Sequence, residues 1–253
     1  MMDDERSKLP SSVFHHPSEI SMTKLTGTAK STYVRSMFDR IAPRYDLMNA
    51  VMTLGQHQNM RRAAARLAQP PRAGLALDLA TGTGDFAAAL CEIEPTCRVV
   101  GVDFALEMMW LGQTKYDTRV MFSAGDMLRL PLPDNTFDCA VNGFVLRNVT
   151  DVRAAFAEMY RVLKPNGRAV SLEITSPRTP IWKNIFALYF DHVMPRLGGW
   201  LSGNPDAYRY LPQSVRDFLA PERVADVMRA VSFREVYLRR WALGSMAVYV
   251  GVK

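Results

Sequence analysis

The sequence predicts an α/β fold built on a mostly parallel sheet, and three observations carry that expectation. From residue 75 onward, short apolar runs alternate with helical segments, the pattern of parallel strands joined by crossover helices. Those runs are continuously apolar rather than alternating, as in strands covered on both faces. A glycine-rich turn, Thr81-Gly82-Thr83-Gly84, joins the first such strand to the first helix, where open α/β sheets hold ligands.

Residues 1–30 are rich in Ser, Thr, Pro and charge and have no sustained period, so they read as a mobile leader. The remainder, 31–253, reads as one domain. Phe38, Ile41, Tyr45, Met48 and Met52 recur at three- and four-residue steps, a one-faced helical spacing. Pro43 divides this N-terminal cap (31–72) into two short helices, and Pro70-Pro71 closes it. Strands follow at 75–80, 98–103, 120–124, 137–144 and 167–173, with helices at 85–91, 106–115 and 152–163. Residues 178–217 break the rhythm: an aromatic-rich helical stretch, 181–200, precedes a polar segment, 204–215. An insertion of that length reads as a helical lid. A helix at 221–230, with Pro221 in its first turn, leads to strands at 235–241 and 246–253. Gly244-Ser245 makes these a closing antiparallel hairpin.

The 253 residues, 48% hydrophobic and 22% charged, suit a soluble domain with a sizeable core. No run approaches the ~18 apolar residues of a membrane span, and the opening Met-Met-Asp-Asp-Glu-Arg lacks an apolar signal core. A cytoplasmic protein is expected. Cys91, Cys97 and Cys139 fit neither a zinc spacing nor a disulfide framework, and His57 and His192 stand alone, so no metal is expected. The net charge of +6 is spread over isolated residues and pairs such as Arg61-Arg62 and Arg239-Arg240, which argues against nucleic acid. Peripheral contact with the inner face of a membrane is compatible with that charge. The oligomeric state stays open, a homodimer included.

Residues Leu77-Asp78-Leu79-Ala80-Thr81-Gly82-Thr83-Gly84-Asp85 form the turn after the first strand. Gly82 and Gly84 permit positive φ and close approach of a ligand to the backbone. The spacing Gly82-x-Gly84-x-x-Ala87 formally fits a dinucleotide, but Asp85 would put a like charge where pyrophosphate belongs. A sulfonium donor with a free amino group has no phosphate, and Asp78 and Asp85 could accept from that amine. Asp103 ends the second strand about 20 residues beyond the glycines, where a carboxylate grips ribose hydroxyls. Asp126 follows the third strand and could accept from an adenine amino group, with Phe104 and Met127 flanking the ring.

This set resembles the class I S-adenosylmethionine-dependent methyltransferases over 74–174 and the terminal strand pair. The resemblance implies a Rossmann-like, seven-stranded sheet whose last strand is antiparallel. It adds Thr81 and Asn142 to the cofactor set and S-adenosylmethionine as cofactor.

Three further segments are Met37-Phe38-Asp39-Arg40-Ile41-Ala42-Pro43-Arg44-Tyr45-Asp46-Leu47-Met48-Asn49, Leu146-Arg147-Asn148-Val149 and Asp206-Ala207-Tyr208-Arg209-Tyr210-Leu211-Pro212-Gln213-Ser214-Val215. Together they resemble the ubiquinone/menaquinone biosynthesis C-methyltransferase family over about 34–253. Asn166 departs from the pattern, standing where a second glycine is common. The resemblance implies a prenylated quinol as acceptor, demethylmenaquinol or the ubiquinone precursor 2-polyprenyl-6-methoxy-1,4-benzoquinol, and a new carbon–carbon bond. A quinol hydroxyl that loses its proton pushes electron density onto the ring carbon. Arg147 is the candidate to stabilise that phenolate, Asn148 to hydrogen-bond a ring oxygen, and Tyr45 to close over the transfer site. Tyr208 and Arg209 are candidate head-group contacts.

Each has a plainer reading. Arg147 could pair with Asp151, Tyr45 and Tyr208 could be core aromatics, Asn148 could cap a helix, and His192 could be a structural or surface histidine rather than a base. The aromatic stretch 181–190 reads either as lid packing or as a mouth that leaves a prenyl tail in lipid. Three rival functions stand beside the quinol reading: methylation of a sterol, phenolic or other small molecule; a nucleotide-dependent oxidoreductase; and a catalytically idle cofactor-binding module.

Overall fold

The computed structural model describes residues 25–53, 55–116, 119–196 and 205–253, without the side chains of residues 205, 206 and 208. Three helices come first: α1 (Gly27–Ile41), α2 (Tyr45–Met52) and α3 (His57–Ala68). A 3-10 turn over Ala42–Arg44, with Pro43 in it, separates α1 from α2. Pro43 lacks the N–H that an unbroken helix would need. The first four residues of α1, Gly27 to Lys30, fall inside the expected leader, and residues 1–24 lie outside the described residues.

The sheet consists of β1 (Leu75–Leu79), β2 (Arg98–Asp103), β3 (Val120–Ala124), β4 (Phe137–Gly143), β5 (Leu163–Ile174), β6 (Arg234–Trp241) and β7 (Met246–Val252). Their order is β3-β2-β1-β4-β5-β7-β6. Strands β1 to β5 pair in parallel, and β7 enters antiparallel between β5 and β6. The β5 strand begins at Leu163, ahead of the expected 167, and its register against β4 shifts between Phe137 and Cys139. Asn166 lies in that irregularity at φ 67, a left-handed conformation that glycine adopts freely and asparagine tolerates. The departure at 166 thus keeps the same turn.

Helices α4 (Asp85–Ile93), α5 (Leu106–Tyr116) and α6 (Val152–Val162) connect the parallel strands. After β5 come α7 (Pro180–Leu188), a π-helical turn Tyr189–Val193, α8 (Pro205–Asp217) and α9 (Pro221–Ala230). Residues 197–204 of the expected lid lie outside the described residues.

Both faces of the sheet are covered. Ala64, Ala65 and Ala68 of α3 and Phe86, Ala87 and Leu90 of α4 pack on Val99, Val141, Val170 and Val248. On the other face, Phe156 and Met159 of α6 and Val224 and Met228 of α9 pack on Leu77, Leu79, Ala140 and Tyr249. Complete burial of a side chain such as Phe156 contributes about 2–3 kcal/mol. A third cluster joins Val34, Met37 and Ile41 of α1 and Met48 of α2 to Met108 of α5 and Tyr210 of α8. That cluster roofs the carboxyl ends of β1 and β4, where the strand order reverses. Open α/β sheets leave a crevice at such a point.

Candidate active site

Two cavities meet under this roof. The larger, of about 260 Å³, is lined by Gly82 after β1, Asp103, Phe104 and Ala105 after β2, Asp126 and Met127 after β3, and Gly143 and Phe144 at the end of β4. The smaller is lined by Met37, Ile41, Met48, Asn49 and His57 from the cap, Arg147 from the β4–α6 turn, and Tyr210 and Leu211 from α8. Phe38, Tyr45, Phe144 and Asn148 line both. Two lining residues have backbones that side chains rarely adopt: Ala80 of the larger cavity at φ 53 and Phe144, which lines both, at φ 62. Strain of this kind persists where surrounding packing holds it, and it clusters at functional sites.

In the larger cavity, Asp103 is fixed by two backbone donors. Gly82 N–H donates to Oδ2 at 2.7 Å and Ala105 N–H to Oδ1 at 2.8 Å. Burial outweighs those bonds and pushes its carboxyl up to about 6. Asp126 is exposed at the rim, with Oδ1 accepting from Leu128 N–H at 2.9 Å. Gly82, at φ 57, faces Tyr45, whose ring lies 4.0 Å from where a Cβ would stand. Four expected cofactor residues beside Gly82 are therefore brought together here: Asp103, Phe104, Asp126 and Met127.

Five expected cofactor residues are placed elsewhere. Asp78 faces away from the cavity: its Oδ2 accepts from Thr81 Oγ1 at 2.7 Å and from Ala87 N–H at 3.0 Å. Burial raises its carboxyl to about 7. Thr81 is thereby spent on Asp78. Gly84, at φ 82, is needed because a Cβ would lie 2.8 Å from Phe122 Cζ. Asn142 is fully buried within β4 and donates to Ser171 Oγ at 2.9 Å.

Asp85 is the largest correction. Its side chain turns outward from the first turn of α4 into a closed set of donors: Arg61 at 3.1 Å, Gln58 at 2.8 Å, Lys115 at 2.6 Å and Tyr116 at 2.8 Å. Burial alone would raise this carboxyl, but Arg61 and Lys115 hold it below its usual range. The expectation that the carboxylates at 85, 103 and 126 converge on one pocket therefore fails at 85. At the N-terminus of α4 the Ala87 amide is already taken by Asp78, and the buried carboxylates of Asp78 and Asp85 disfavour a further anion there.

The acceptor side brings together Arg147, Asn148 and Tyr45. Arg147 pairs with Glu173 rather than Asp151: Nη1 donates to Glu173 Oε1 at 2.5 Å and to the Phe144 carbonyl at 2.6 Å. Asp151 instead caps α6 through Ala154 N–H. The Arg147 side chain is 8% exposed, and its buried Nε has no partner among the described residues. An orphaned charged donor on a cavity wall suits an anionic ligand oxygen. Asn148 accepts from Tyr210 Oη at 3.2 Å. Packing pushes the Tyr45 phenol up, partly offset by Arg61 and Asn49.

Of the two expected head-group contacts, Arg209 is exposed and lines neither cavity, and the side chain of Tyr208 lies outside the described residues. Their neighbour Tyr210, 2% exposed, is the α8 tyrosine on the wall. His192 is exposed in the π-helical turn, which agrees with its plainer reading. Sequence reasoning missed His57, Asn49, Tyr210 and Glu173. Glu173 alone carried a local signal, a carboxylate inside an otherwise apolar strand.

Among the described residues, no helix is long and apolar enough to cross a membrane, and no group of three His, Cys, Asp or Glu side chains could hold a metal.

Comparison with known proteins agrees with this architecture. A demethylmenaquinone methyltransferase of Deinococcus radiodurans is 47% identical, over 88% of this chain and 94% of that protein. One from Roseiflexus sp. (strain RS-1) is 45% identical over the same shares. The crystal structure of an S-adenosylmethionine-dependent methyltransferase from Thermotoga maritima shares the fold, with a TM-score of 0.63 and 19% identity over 86% of this chain and 98% of that one. The model of the ubiE/COQ5 methyltransferase family matches residues 26–253, and this chain belongs to that family.

Proposed function

We propose that this enzyme transfers the methyl group of S-adenosylmethionine to a ring carbon of a prenylated quinol. The observation that carries the reading is the junction of two unlike cavities at the strand-order reversal, one lined by carboxylates and the other by apolar side chains around Arg147. The first fits a nucleoside with a positively charged tail: Asp103 for the ribose hydroxyls, Asp126 for the adenine amino group, Phe104 and Met127 for the ring faces. S-adenosylmethionine, when bound, supplies an electrophilic methyl on sulfur. The remaining chemistry falls to the chain. Arg147 lowers the acidity barrier of the quinol hydroxyl by holding its oxygen as it becomes anionic. Asn148 is placed to orient a ring oxygen, and Tyr45 closes the junction and excludes water.

The relatives named demethylmenaquinone methyltransferases support demethylmenaquinol as the acceptor. The test is a radiolabelled-methyl assay with demethylmenaquinol and 2-polyprenyl-6-methoxy-1,4-benzoquinol in parallel. Label should enter demethylmenaquinol, the benzoquinol or both. Label entering neither, but a sterol or simple phenol instead, overturns the quinol reading in favour of its nearest rival.

A cytoplasmic protein that touches the membrane peripherally suits such an acceptor. The surface for that contact is α7, where Ile181, Ile185 and Leu188 are exposed at helical spacing beside Lys183. Tyr189, just beyond, reaches the Val51 and Met52 carbonyls at the rim of the acceptor cavity. Replacing Ile181 and Leu188 by serine should lower binding to anionic vesicles and leave turnover of a short-tailed quinol intact. Unchanged vesicle binding removes α7 from the role.

A further inference from the structure

The geometry points to His57 as the base that takes the hydroxyl proton of the acceptor, through Nε2. The inference rests on the quinol reading above and assigns the one role that reading leaves without a residue.

Four side chains that titrate line the acceptor cavity: Tyr45, His57, Arg147 and Tyr210. Arginine stays protonated and cannot accept. The two tyrosines hold their own protons more tightly than usual, Tyr45 through its packing and Tyr210, pushed by burial to about 12. His57 remains.

Its tautomer follows from counting hydrogens. The hydroxyl of Thr53 has one proton, which it donates to the Asn49 carbonyl at 2.7 Å. The same oxygen accepts the His57 backbone N–H at 3.0 Å and lies 3.2 Å from His57 Nδ1. With its proton already placed, Thr53 can only accept from the ring, so Nδ1 carries the hydrogen. Nε2 is left with a lone pair and no partner among the described residues. The ring is fixed, neutral and turned with its basic edge away from Thr53, the arrangement a general base needs.

The surrounding charges favour the neutral ring. Burial acts first, followed by Arg61 one turn along α3. Asp85 of α4 and Asp46 of α2 oppose them, and Lys115 of α5 adds to them. Arg147 lines the same cavity. The net direction is a lowered value, so the free base prevails at neutral pH.

In the step itself the quinol O–H breaks and an Nε2–H bond forms, making an imidazolium. The electron pair stays on oxygen, where Arg147 meets it, and spreads to the adjacent ring carbon. As that carbon bonds to the methyl, the methyl–sulfur bond breaks with its electron pair staying on sulfur, so S-adenosylhomocysteine leaves as a neutral thioether. The carbon then loses its own hydrogen as a proton to water, and the His57 imidazolium returns its proton to the ring oxygen. One proton is released overall.

The test uses His57→Asn, whose amide nitrogen can replace Nδ1 as donor to Thr53 but offers no base at Nε2. Turnover of the accepted quinol should fall by about 10²–10³, and the acid limb of the kcat–pH profile should vanish. Affinity for S-adenosylmethionine and the unfolding midpoint should hold. Independently of activity, nitrogen-15 NMR of histidine-labelled protein at neutral pH should show His57 protonated on Nδ1 and bare on Nε2, titrating below 6.5. Wild-type turnover with an Asn variant that keeps at least a third of kcat and the same acid limb would overturn the assignment, as would an Nε2–H tautomer. A wild type inert toward both quinols would overturn the substrate reading and the inference with it.

Discussion

The two halves of the cleft are built by different means. The cofactor half takes a residue or a turn from the end of each of the strands β1, β2, β3 and β4, and backbone amides fix its key carboxylate, Asp103. The acceptor half takes side chains from α1, α2, α3, α8 and the β4–α6 turn, which meet only because the cap folds over the sheet. A strand end has few directions in which to point, so the first half is set by topology. The second depends on packing between distant segments. Asp85 lines neither half and instead binds α3, α4 and α5 together.

Asp85→Ala should give the largest effect and tests most directly whether this carboxylate belongs to neither half. It strands Arg61, whose side chain is 6% exposed, and removing one partner of a buried pair costs about 3–5 kcal/mol. Chemical denaturation of the ligand-free protein measures it. Unchanged stability with lost cofactor affinity would return Asp85 to the cofactor half. Arg147→Ala comes next: loss of an oxyanion donor lowers turnover by about 10²–10³, while calorimetry should find cofactor affinity within about threefold. Equal loss of both would mean that the halves are not separable.

Asp103→Ala should weaken cofactor binding by about 10- to 100-fold, the worth of one or two hydrogen bonds to a charged group. The Asp103 carboxyl titrates at about 6 in the fold and at 3.8 as a reference, so its protonated form favours folding. That stabilisation is complete below about 3.8 and is lost as pH rises through about 6. Cofactor affinity moves the other way, falling up to about tenfold per pH unit below 6 because the ribose needs the ionised acceptor. Binding isotherms between pH 5 and 8 should show this single-proton slope, and a flat profile would exclude Asp103.

Much of the fold was legible because its signals are local. Continuous apolar runs marked β1, β2, β4 and β7, and Pro43 marked the break in the cap. Asp103 was legible as the last residue of its strand and Asp126 as a residue just past β3. Asp78 was misread although strand alternation held the answer: Leu77 and Leu79 face one side of the sheet, so Asp78 must face the other, toward α4. Asp85 was misread because a residue in a helix's first turn can point inward or outward, and the deciding partners, Arg61 and Lys115, are 24 and 30 positions away. Asn49 and His57 are tied only through Thr53 between them, and Tyr210 is more than 150 positions away. The docking of α8 against the cap makes it their neighbour.

Ala80 and Phe144 are held left-handed at the ends of the two strands that flank the cleft. Such tension costs about 1–2 kcal/mol at each residue other than glycine. The lip of the cleft is therefore a spring kept wound by the packing behind it. Ala80→Gly should let that spring down, raising the unfolding free energy by up to about 1 kcal/mol while the relaxed turn grips its nucleoside less firmly. A hardier protein with a looser grip would mark the tension as a working part; a hardier protein with an equal grip would mark it as a scar of the fold.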